Sequence, residues 1–314
     1  MKRISILPIV LFVAATFCSA QSVKPSADSQ LQQTVDQIAR QHRGKVALYA
    51  ENLTTGKFVA VNSDEVIQTA STIKLTILAE AAHQMKDGKK HWEDKVTLRP
   101  EDKVPGSGIF QFLRAPIQLS LEDVLTFMVI TSDNTATNLA IDQFGIANVN
   151  ARSVSLGLKN TYLYKKVYKP AEGSMPSDQK KYGLGKTTAH EMAKVIESIQ
   201  TCEVGDAAIC KKMIEMLKNQ QDRDSIPRYT EVSDTSEVPS AIANKTGALD
   251  ALRADVGIVY TKAGPIVISA YTYENKDQKW TPDNEGYLTI AKLAKAIVDR
   301  WAPKGLAAQS TPAK

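Results

Sequence analysis

A serine and a lysine stand three residues apart in Ser71-Thr72-Ile73-Lys74, where the hydrophobic pattern turns helical. Residues three apart share one face of a helix, so the Lys74 amine can reach the Ser71 hydroxyl. A serine becomes nucleophilic when a neighbour accepts its proton, and a lysine can do so once burial has lowered its pKa. The segment predicts nucleophilic catalysis. The simple alternative is a helix start with a solvated lysine, and we assign no role to a second copy of the pattern, in the polar loop 177–180.

Two more short motifs follow along the chain. Ser132-Asp133-Asn134 comes directly after an apolar helical segment, where a hydroxyl and an amide can be presented together, although all three residue types are also good helix caps. Lys245-Thr246-Gly247 stands at the entrance to a predicted strand, where an amine and an adjacent hydroxyl can serve one cleft; the alternative is a surface turn. Each motif alone is weak evidence for a catalytic site. The three motifs together, in this order along the chain, are much stronger evidence.

Ser-x-x-Lys, Ser-Asp-Asn and Lys-Thr-Gly, in this order, are the signature of class A β-lactamases and penicillin-binding proteins. The chain resembles a class A β-lactamase, within the penicillin-recognising serine hydrolases. The similarity covers nearly all of the chain after residue 20 and includes Thr187-Thr188-Ala189 at a helix start. Asp133 favours class A, because relatives carry tyrosine at that position.

The resemblance implies a catalytic set and a substrate-binding set. The catalytic residues would be Ser71, Lys74, Ser132 and Lys245, and the substrate-binding residues Asn134, Thr246, Gly247 and Ala248. Ser71 would attack the lactam carbonyl, Lys74 would take or relay its proton, and Ser132 would pass a proton to the departing nitrogen. Lys245 would bind the substrate carboxylate and help keep Lys74 neutral.

The remaining implied contacts concern the substrate's periphery and one loop. Asn134 would hold the acylamide side chain, and Thr246 would join Lys245 on the carboxylate. The backbone N–H groups of Ser71 and Ala248 would form the oxyanion hole. Arg253 would add a second carboxylate contact, and Asn138 would brace an irregular loop at 160–186.

The chain departs from the family in that loop. Class A enzymes carry Glu-x-x-Leu-Asn there, and the glutamate activates the water that deacylates the serine; no such motif occurs between Leu158 and Lys186. Counting forward from Thr161 places the glutamate position at Val167 and puts Lys165 where a basic residue is usual. Counting back from Thr187 reaches Glu172 instead. We prefer the forward count, on which the base is missing and deacylation slows by roughly 10²–10⁴-fold.

Secondary-structure patterns predict how the motifs are positioned. A helix from Leu31 to Gly44 and a hairpin of Val46–Glu51 with 58–61 precede a helical block. Strands at 255–261 and 265–273 and a terminal helix follow it. We therefore predict an α/β (α+β) fold, an antiparallel sheet flanked by helices with an inserted all-helical subdomain. The catalytic domain is expected at 21–314, with sheet parts at about 28–68 and 242–302 and the helical part at about 69–241.

The first twenty residues predict export. Lys2-Arg3 precedes an apolar stretch from Ile4 to Phe17 and small residues before a cleavage site after Ala20, which is typical of a signal peptide at 1–20. The apolar stretch is short for a membrane anchor, so we expect a secreted or periplasmic protein with no stable anchor. In an oxidising compartment Cys202 and Cys210 form either a disulfide or two buried thiols, with the disulfide favoured.

Composition excludes several other functions. With 314 residues, 43% of them hydrophobic and 23% charged, and a net charge of +5, the chain is ordinary globular protein without a nucleic-acid stripe. Its four histidines are scattered, so we expect no metal and no cofactor. The leading function is a monomeric serine β-lactamase that acts on β-lactam substrates with slow deacylation. A D-alanyl peptidase or other serine amidohydrolase, and a non-hydrolysing β-lactam-binding protein, are the alternatives.

Overall fold

The computed structural model describes residues 24–230 and 240–307, so the predicted signal peptide lies outside the described residues. The strands are β1 Ser26–Ala27, β2 Lys45–Asn52, β3 Lys57–Val61, β4 Ile67–Gln68, β5 Lys95–Leu98, β6 Ile117–Ser120, β7 Tyr162–Leu163, β8 Gly185–Thr187, β9 Ile242–Leu249, β10 Leu252–Thr261 and β11 Gly264–Tyr273. The α-helices are α1 Ser29–Gln41, α2 Lys74–Lys86, α3 Leu121–Ile130, α4 Asn134–Phe144, α5 Ile146–Ser155, α6 Gln179–Tyr182, α7 Ala189–Gln200, α8 Ala207–Lys218, α9 Ile226–Thr230 and α10 Glu285–Trp301.

The main sheet joins the two ends of the chain. Its strand order is β1-β3-β2-β11-β10-β9, and all neighbours are antiparallel except the short β1, which is parallel to β3. The pairing of β2 with β11, with Ala50 opposite Ile268, brings the N-terminal hairpin beside the C-terminal strands. The predicted fold class is confirmed: strands from both ends form one sheet, and the helical block is inserted between them.

Alternating side chains give the sheet two covered faces. On β10, Val256 and Ile258 face the helical block, whereas Val259 packs with Leu31 of α1 and Ile297 of α10. Burying both faces requires apolar residues at nearly every position, which explains why β10 and β11 show little polar alternation.

Helix α2 forms the centre of the helical block. Its residues are buried on all sides apart from His83 and the terminal Lys86, including the charged Lys74 and Glu80. The Glu80 carboxylate is paired with Arg152 of α5 at 3.3 Å, so this buried charge has a partner. A helix that is covered all round holds its first residues in a fixed place, and those residues include Lys74.

The loop after α7 settles the cysteine alternative. Cys202 and Cys210 form a disulfide that links the end of α7 to the first turns of α8. In the described part of the chain, no helix is long and apolar enough to cross a membrane.

Candidate active site

Ser71 lies in a tight turn that leads into α2. The 3-10 turn Ala70–Ile73 precedes the helix, and Ala70 adopts the left-handed backbone conformation, with φ at +45°. A non-glycine residue there is strained, which is common where a side chain must be presented for reaction. Thr72 fixes the turn, since its hydroxyl contacts the Tyr271 hydroxyl at 2.8 Å and donates to the Thr69 carbonyl. Ser71 itself is partly exposed between buried neighbours.

The amine of Lys74 points toward the Ser-Asp-Asn turn. It donates to the Ser132 carbonyl at 2.7 Å, to the Ser132 hydroxyl at 3.1 Å and to the Asn134 side-chain oxygen at 3.3 Å. The hydrogen bond to Ser71 that the Ser-x-x-Lys spacing predicts is not among these three contacts. The pKa of Lys74 is held well below its ordinary value by burial and, secondarily, by the positive charge of Lys245, while Asp133 opposes the shift. A neutral amine can accept a proton, as the predicted role requires.

Ser132-Asp133-Asn134 is a strained turn held by its central aspartate. Ser132 has φ at +53°. One oxygen of Asp133 caps α4 by accepting from the Ala136 N–H at 2.8 Å, and the other accepts from two N–H groups of the facing loop, those of Ile109 and Phe110, both at 2.7 Å. Asp133 therefore locks the loop to the turn, a role that sequence reasoning had missed.

Glycine is required where that loop crosses the turn. Gly108 has φ at +96°, and a Cβ at this position would lie 2.2 Å from the Asp133 carboxyl carbon. Asn134 is fixed from the same side, because its amide donates to the Pro105 carbonyl at 3.1 Å while its oxygen accepts from Lys74. The amide predicted to hold an acylamide side chain is therefore held in one orientation.

The Lys-Thr-Gly motif lies on β9, at the edge of the main sheet, beside Ser71. A Cβ on Gly247 would lie 3.0 Å from the Ser71 backbone nitrogen, so only glycine lets the strand approach the nucleophile's turn so closely. Thr246 is buried and Ala248 is partly exposed on the same strand. Gly247 against Ser71, and Lys74 against Ser132, bring the three motifs together in one region.

Lys245 is fully buried, and its amine donates to the Thr246 carbonyl at 2.8 Å. Burial lowers its pKa to about 8, and the negative charges of Asp222 and Asp255 oppose that shift. Lys245 is therefore mostly an ammonium at neutral pH. A buried cation of this kind can bind a carboxylate.

Arg253 does not have the environment predicted for it. Its guanidinium donates to the carbonyls of Leu249, Leu252 and Lys279, and it lies 4.7 Å from the ring centre of Trp280. Through these contacts Arg253 stabilises the turn between β9 and β10. The carbonyl oxygens and the aromatic ring already occupy its guanidinium. The predicted carboxylate contact is not supported by this geometry.

The irregular loop is braced at Val167. Asn138 accepts from the Val167 N–H at 2.8 Å and donates to the Val167 carbonyl at 3.0 Å, so the predicted brace by Asn138 is present. The loop carries two carboxylates between 164 and 186: Glu172 is exposed, and Asp178 is held by Tyr164 and Lys186. Among the described residues, no group of three or more His, Cys, Asp or Glu is arranged to hold a metal.

Comparison with known proteins agrees with the fold and the motifs. The family model of the β-lactamase enzyme family matches residues 30–301. A β-lactamase from Sphaerobacter thermophilus is 27% identical, with a TM-score of 0.75 over 87% of this chain and 97% of that one. A mutant of PBP-A, solved as an acyl-enzyme complex with penicillin G, is 24% identical, with a TM-score of 0.73 over 88% and 98%. An ancestral class A β-lactamase is 20% identical, with a TM-score of 0.73 over 86% and 100%.

The fold and the residues of the site define a serine hydrolase of the class A type. The chain belongs to the β-lactamase enzyme family. The resemblance predicted from the three motifs is confirmed, and with it the prediction of an enzyme that acts as a β-lactam hydrolase.

Proposed function

We propose that the protein opens β-lactams by forming an acyl-enzyme on Ser71 and that it releases the product slowly. The observation that carries the proposal is the burial of the Lys74 amine, which lowers its pKa, together with its hydrogen bond to the Ser132 hydroxyl at 3.1 Å. A neutral amine at this place can accept the Ser71 proton as the hydroxyl oxygen bonds to the lactam carbonyl carbon. The carbon–nitrogen bond then breaks, and the Ser132 hydroxyl gives a proton to the nitrogen and recovers one from Lys74.

Substrate binding follows from the charges and amides around that centre. The Lys245 ammonium, together with the Thr246 hydroxyl, would hold the substrate's carboxylate. The fixed amide of Asn134 would hold the acylamide group. The N–H groups of Ser71 and Ala248 would stabilise the oxyanion, where one donor is worth roughly 3 kcal/mol.

Slow release rests on the loop. The residue braced by Asn138 is Val167, which cannot accept a proton from water, and Glu172 is exposed on the same loop. We therefore assign no carboxylate of the described loop to the role of base, and hydrolysis should be slower by about 10²–10⁴-fold than in an enzyme that has one.

The same observation favours a second candidate function. Without rapid deacylation the protein would act as a penicillin-binding protein, either a D-alanyl peptidase or a non-hydrolysing binder. The structural likeness to the PBP-A acyl-enzyme with penicillin G is consistent with this alternative.

One experiment separates these functions. Purified protein is mixed with a chromogenic cephalosporin, product is followed optically, and the intact protein is weighed. Sustained release supports a β-lactamase, and a stoichiometric burst with a persistent adduct supports a binder. If neither product nor adduct forms, peptides ending in D-Ala-D-Ala become the substrate to test. Ser71→Ala is the control, and adduct or product formation by this variant would contradict the proposed nucleophile.

We further propose that the protein is exported and monomeric. The disulfide between Cys202 and Cys210 supports an oxidising compartment, where such bonds persist. Cell fractionation with N-terminal sequencing tests the expected start at Gln21, and size-exclusion chromatography with light scattering tests the oligomeric state. A cytoplasmic protein that retains residues 1–20 would contradict export.

A further inference from the structure

A buried carboxylate lies behind the Lys-Thr-Gly strand. Asp255 of β10 is fully buried and accepts three hydrogen bonds: two from the Asn244 amide, at 2.9 and 3.1 Å, and one from the Ile226 N–H at 3.0 Å. Asn244 directly precedes Lys245 on β9, and Ile226 is the first residue of α9. The carboxylate therefore ties the edge strand of the sheet to the neighbouring helix, and both contacts involve segments next to Lys245.

The strand register places this carboxylate and the Lys245 side chain on opposite faces of β9. Asp255 is opposite Thr246 and Val256 is opposite Lys245. Cross-strand partners share a face and successive residues alternate, so Asp255 and Asn244 lie behind the strand. Among the described residues no carboxylate is within salt-bridge distance of the Lys245 amine, which donates instead to the Thr246 carbonyl. The negative charges of Asp222 and Asp255 are what oppose its loss of a proton.

The Asn244–Asp255 pair can exist in two hydrogen-bonded states. As placed, the amide nitrogen of Asn244 donates to a charged carboxylate, while the amide oxygen, also buried, has no partner in the described structure. If Asp255 takes up a proton, the amide can turn over and its oxygen can accept from the acid. Burial raises the pKa of Asp255 to about 7, although the hydrogen bonds from Asn244 and Ile226 act in the opposite direction. Both the charged and the protonated state of Asp255 are therefore accessible near neutral pH.

Several charged and titratable groups surround this pair. They are Asp222 and Arg223 of the segment before α9, Lys245 of β9, Tyr271 of β11 and Tyr287 of α10. Asp222 disfavours a charge on Asp255, and Lys245 favours it. Of these groups, Lys245 is the one assigned to substrate binding. A change at Asp255 would therefore affect function through the charge of Lys245.

We propose that Asp255 is a positioning residue for the carboxylate subsite: its buried carboxylate holds β9 in place through Asn244 and Ile226 and, with Asp222, supplies negative charge to the surroundings of Lys245 from behind the strand. The functional part of this proposal rests on the proposed function, in which Lys245 binds the substrate carboxylate. Asp255 itself touches neither substrate nor the reacting atoms.

The test compares Asp255→Asn with the wild type in the absence of substrate. Lysine side chains are isotope-labelled, the Lys245 signal is assigned with Lys245→Arg, and its titration is followed by NMR. We expect the Lys245 midpoint to move to lower pH by about half a unit or more, because the buried counter-charge is gone. The fold should tolerate the change, since the free oxygen of Asn244 can accept from the new amide. An unchanged midpoint overturns the proposal.

A second variant covers the case in which Asp255→Asn does not fold. Asn244→Ala removes the hydrogen bonds that help keep Asp255 charged, so Asp255 holds its proton to higher pH and the Lys245 midpoint should move to lower pH. Asp224→Asn is the matched control, because it removes a carboxylate next to α9 that is not among the charges acting on Lys245. A shift of equal size in the control would overturn the proposal.

Acylation gives the functional readout. The rate at which benzylpenicillin adds to Ser71 is measured by intact mass from about pH 5 to about pH 10. In Asp255→Asn the alkaline limb of the pH–rate profile should shift to lower pH together with the Lys245 midpoint. The acylation rate at a given pH on that limb then falls about threefold, and the rate on the plateau is unchanged. A lowered plateau with an unmoved limb overturns the positioning role. Absence of any adduct in the wild type, with the NMR shift present, counts against the proposed function alone.

Discussion

The two buried lysines of the site differ in how strongly their surroundings favour the charged form. Lys74 is covered by α2 and the Ser-Asp-Asn turn and lies near another cation, so burial and repulsion both favour its neutral form. Lys245 is equally buried, but carboxylates behind its strand oppose the loss of its charge. These differences suit the two proposed roles, proton acceptor for Lys74 and carboxylate binder for Lys245. The family resemblance implies these roles, but the sequence does not show their physical cause, because the charges that act on each lysine come from distant segments.

The first prediction concerns the missing base. Val167→Glu should increase the rate of deacylation by about 10²-fold or more, because it places a carboxylate at the backbone position braced by Asn138. The rate is measured by isolating the benzylpenicillin adduct and following its decay by intact mass.

Val167→Gln is the matched control, since glutamine has the same shape but cannot take up the proton from water. A decay rate that rises equally in both variants would mean that shape, not basicity, is responsible. If neither variant decays faster, the forward count of the loop is wrong, and the role of Glu172 should then be tested with Glu172→Gln.

At the scale of elements, the irregular loop is closed at its base by a short ladder and one carboxylate. Strands β7 and β8 pair where the loop begins and ends, with Leu163 opposite Gly185. Just inside this ladder, Asp178 accepts from the Tyr164 hydroxyl and from the Lys186 amine, both at 2.6 Å. These hydrogen bonds lower the pKa of Asp178, so the closure is lost only when acid protonates that carboxylate.

The second prediction tests this closure. Asp178→Asn should loosen the loop, so that backbone amides of 166–183 exchange hydrogen at least several-fold faster, while the rest of the molecule is unaffected. Hydrogen–deuterium exchange read by mass spectrometry measures this. Lys165→Ala is the comparison, because Lys165 occupies the basic position expected from the family but donates to the Lys169 carbonyl. Faster exchange in the lysine variant than in the aspartate variant would contradict the assignment.

Sequence patterns predicted the elements whose causes are local. The helix start predicted at Thr187-Thr188-Ala189 is confirmed, with Thr188 as the cap of α7, because a cap depends on residues within one turn. Helices α5 and α8 were not predicted, and the strand β10 begins three residues before its predicted start. In the site, the Lys74 amine was expected to contact the Ser71 hydroxyl, but it contacts Ser132. Helical spacing determines which side chains share a face, whereas the segment that covers this face is distant in the sequence.

At the scale of the whole molecule, the site lies where one sheet edge and one helix start meet. Strand β9 is the edge of a sheet built from both ends of the chain, and the Ser71 turn belongs to the inserted helical block. Their contact at Gly247 joins the two parts of the fold. The carboxylate behind that edge, Asp255, is therefore coupled both to the site and to the stability of the fold.

The third prediction follows from that coupling. The pKa of Asp255 is raised by burial from its ordinary value of 3.8 to about 7 in the folded protein. Between these two pH values the unfolded chain has lost the proton and the folded protein keeps it, so the free energy of unfolding falls as pH rises through this window. The fall due to this group is about 4 kcal/mol at most, by 1.36 kcal/mol per unit.

Asp255→Asn removes that dependence. Relative to the wild type, the variant should therefore become more stable as pH rises from about 4 to about 7, by up to the same ~4 kcal/mol, and should gain nothing further above that range. Urea unfolding at several pH values measures the difference. Asp250→Asn, in the exposed turn beside β10, is the control and should follow the wild type. If the stability difference between Asp255→Asn and the wild type is the same at every pH, Asp255 is already charged throughout that window. Asp255 would then carry the same negative charge at every pH tested. The fall of the acylation rate at alkaline pH would in that case reflect the titration of Lys245 alone.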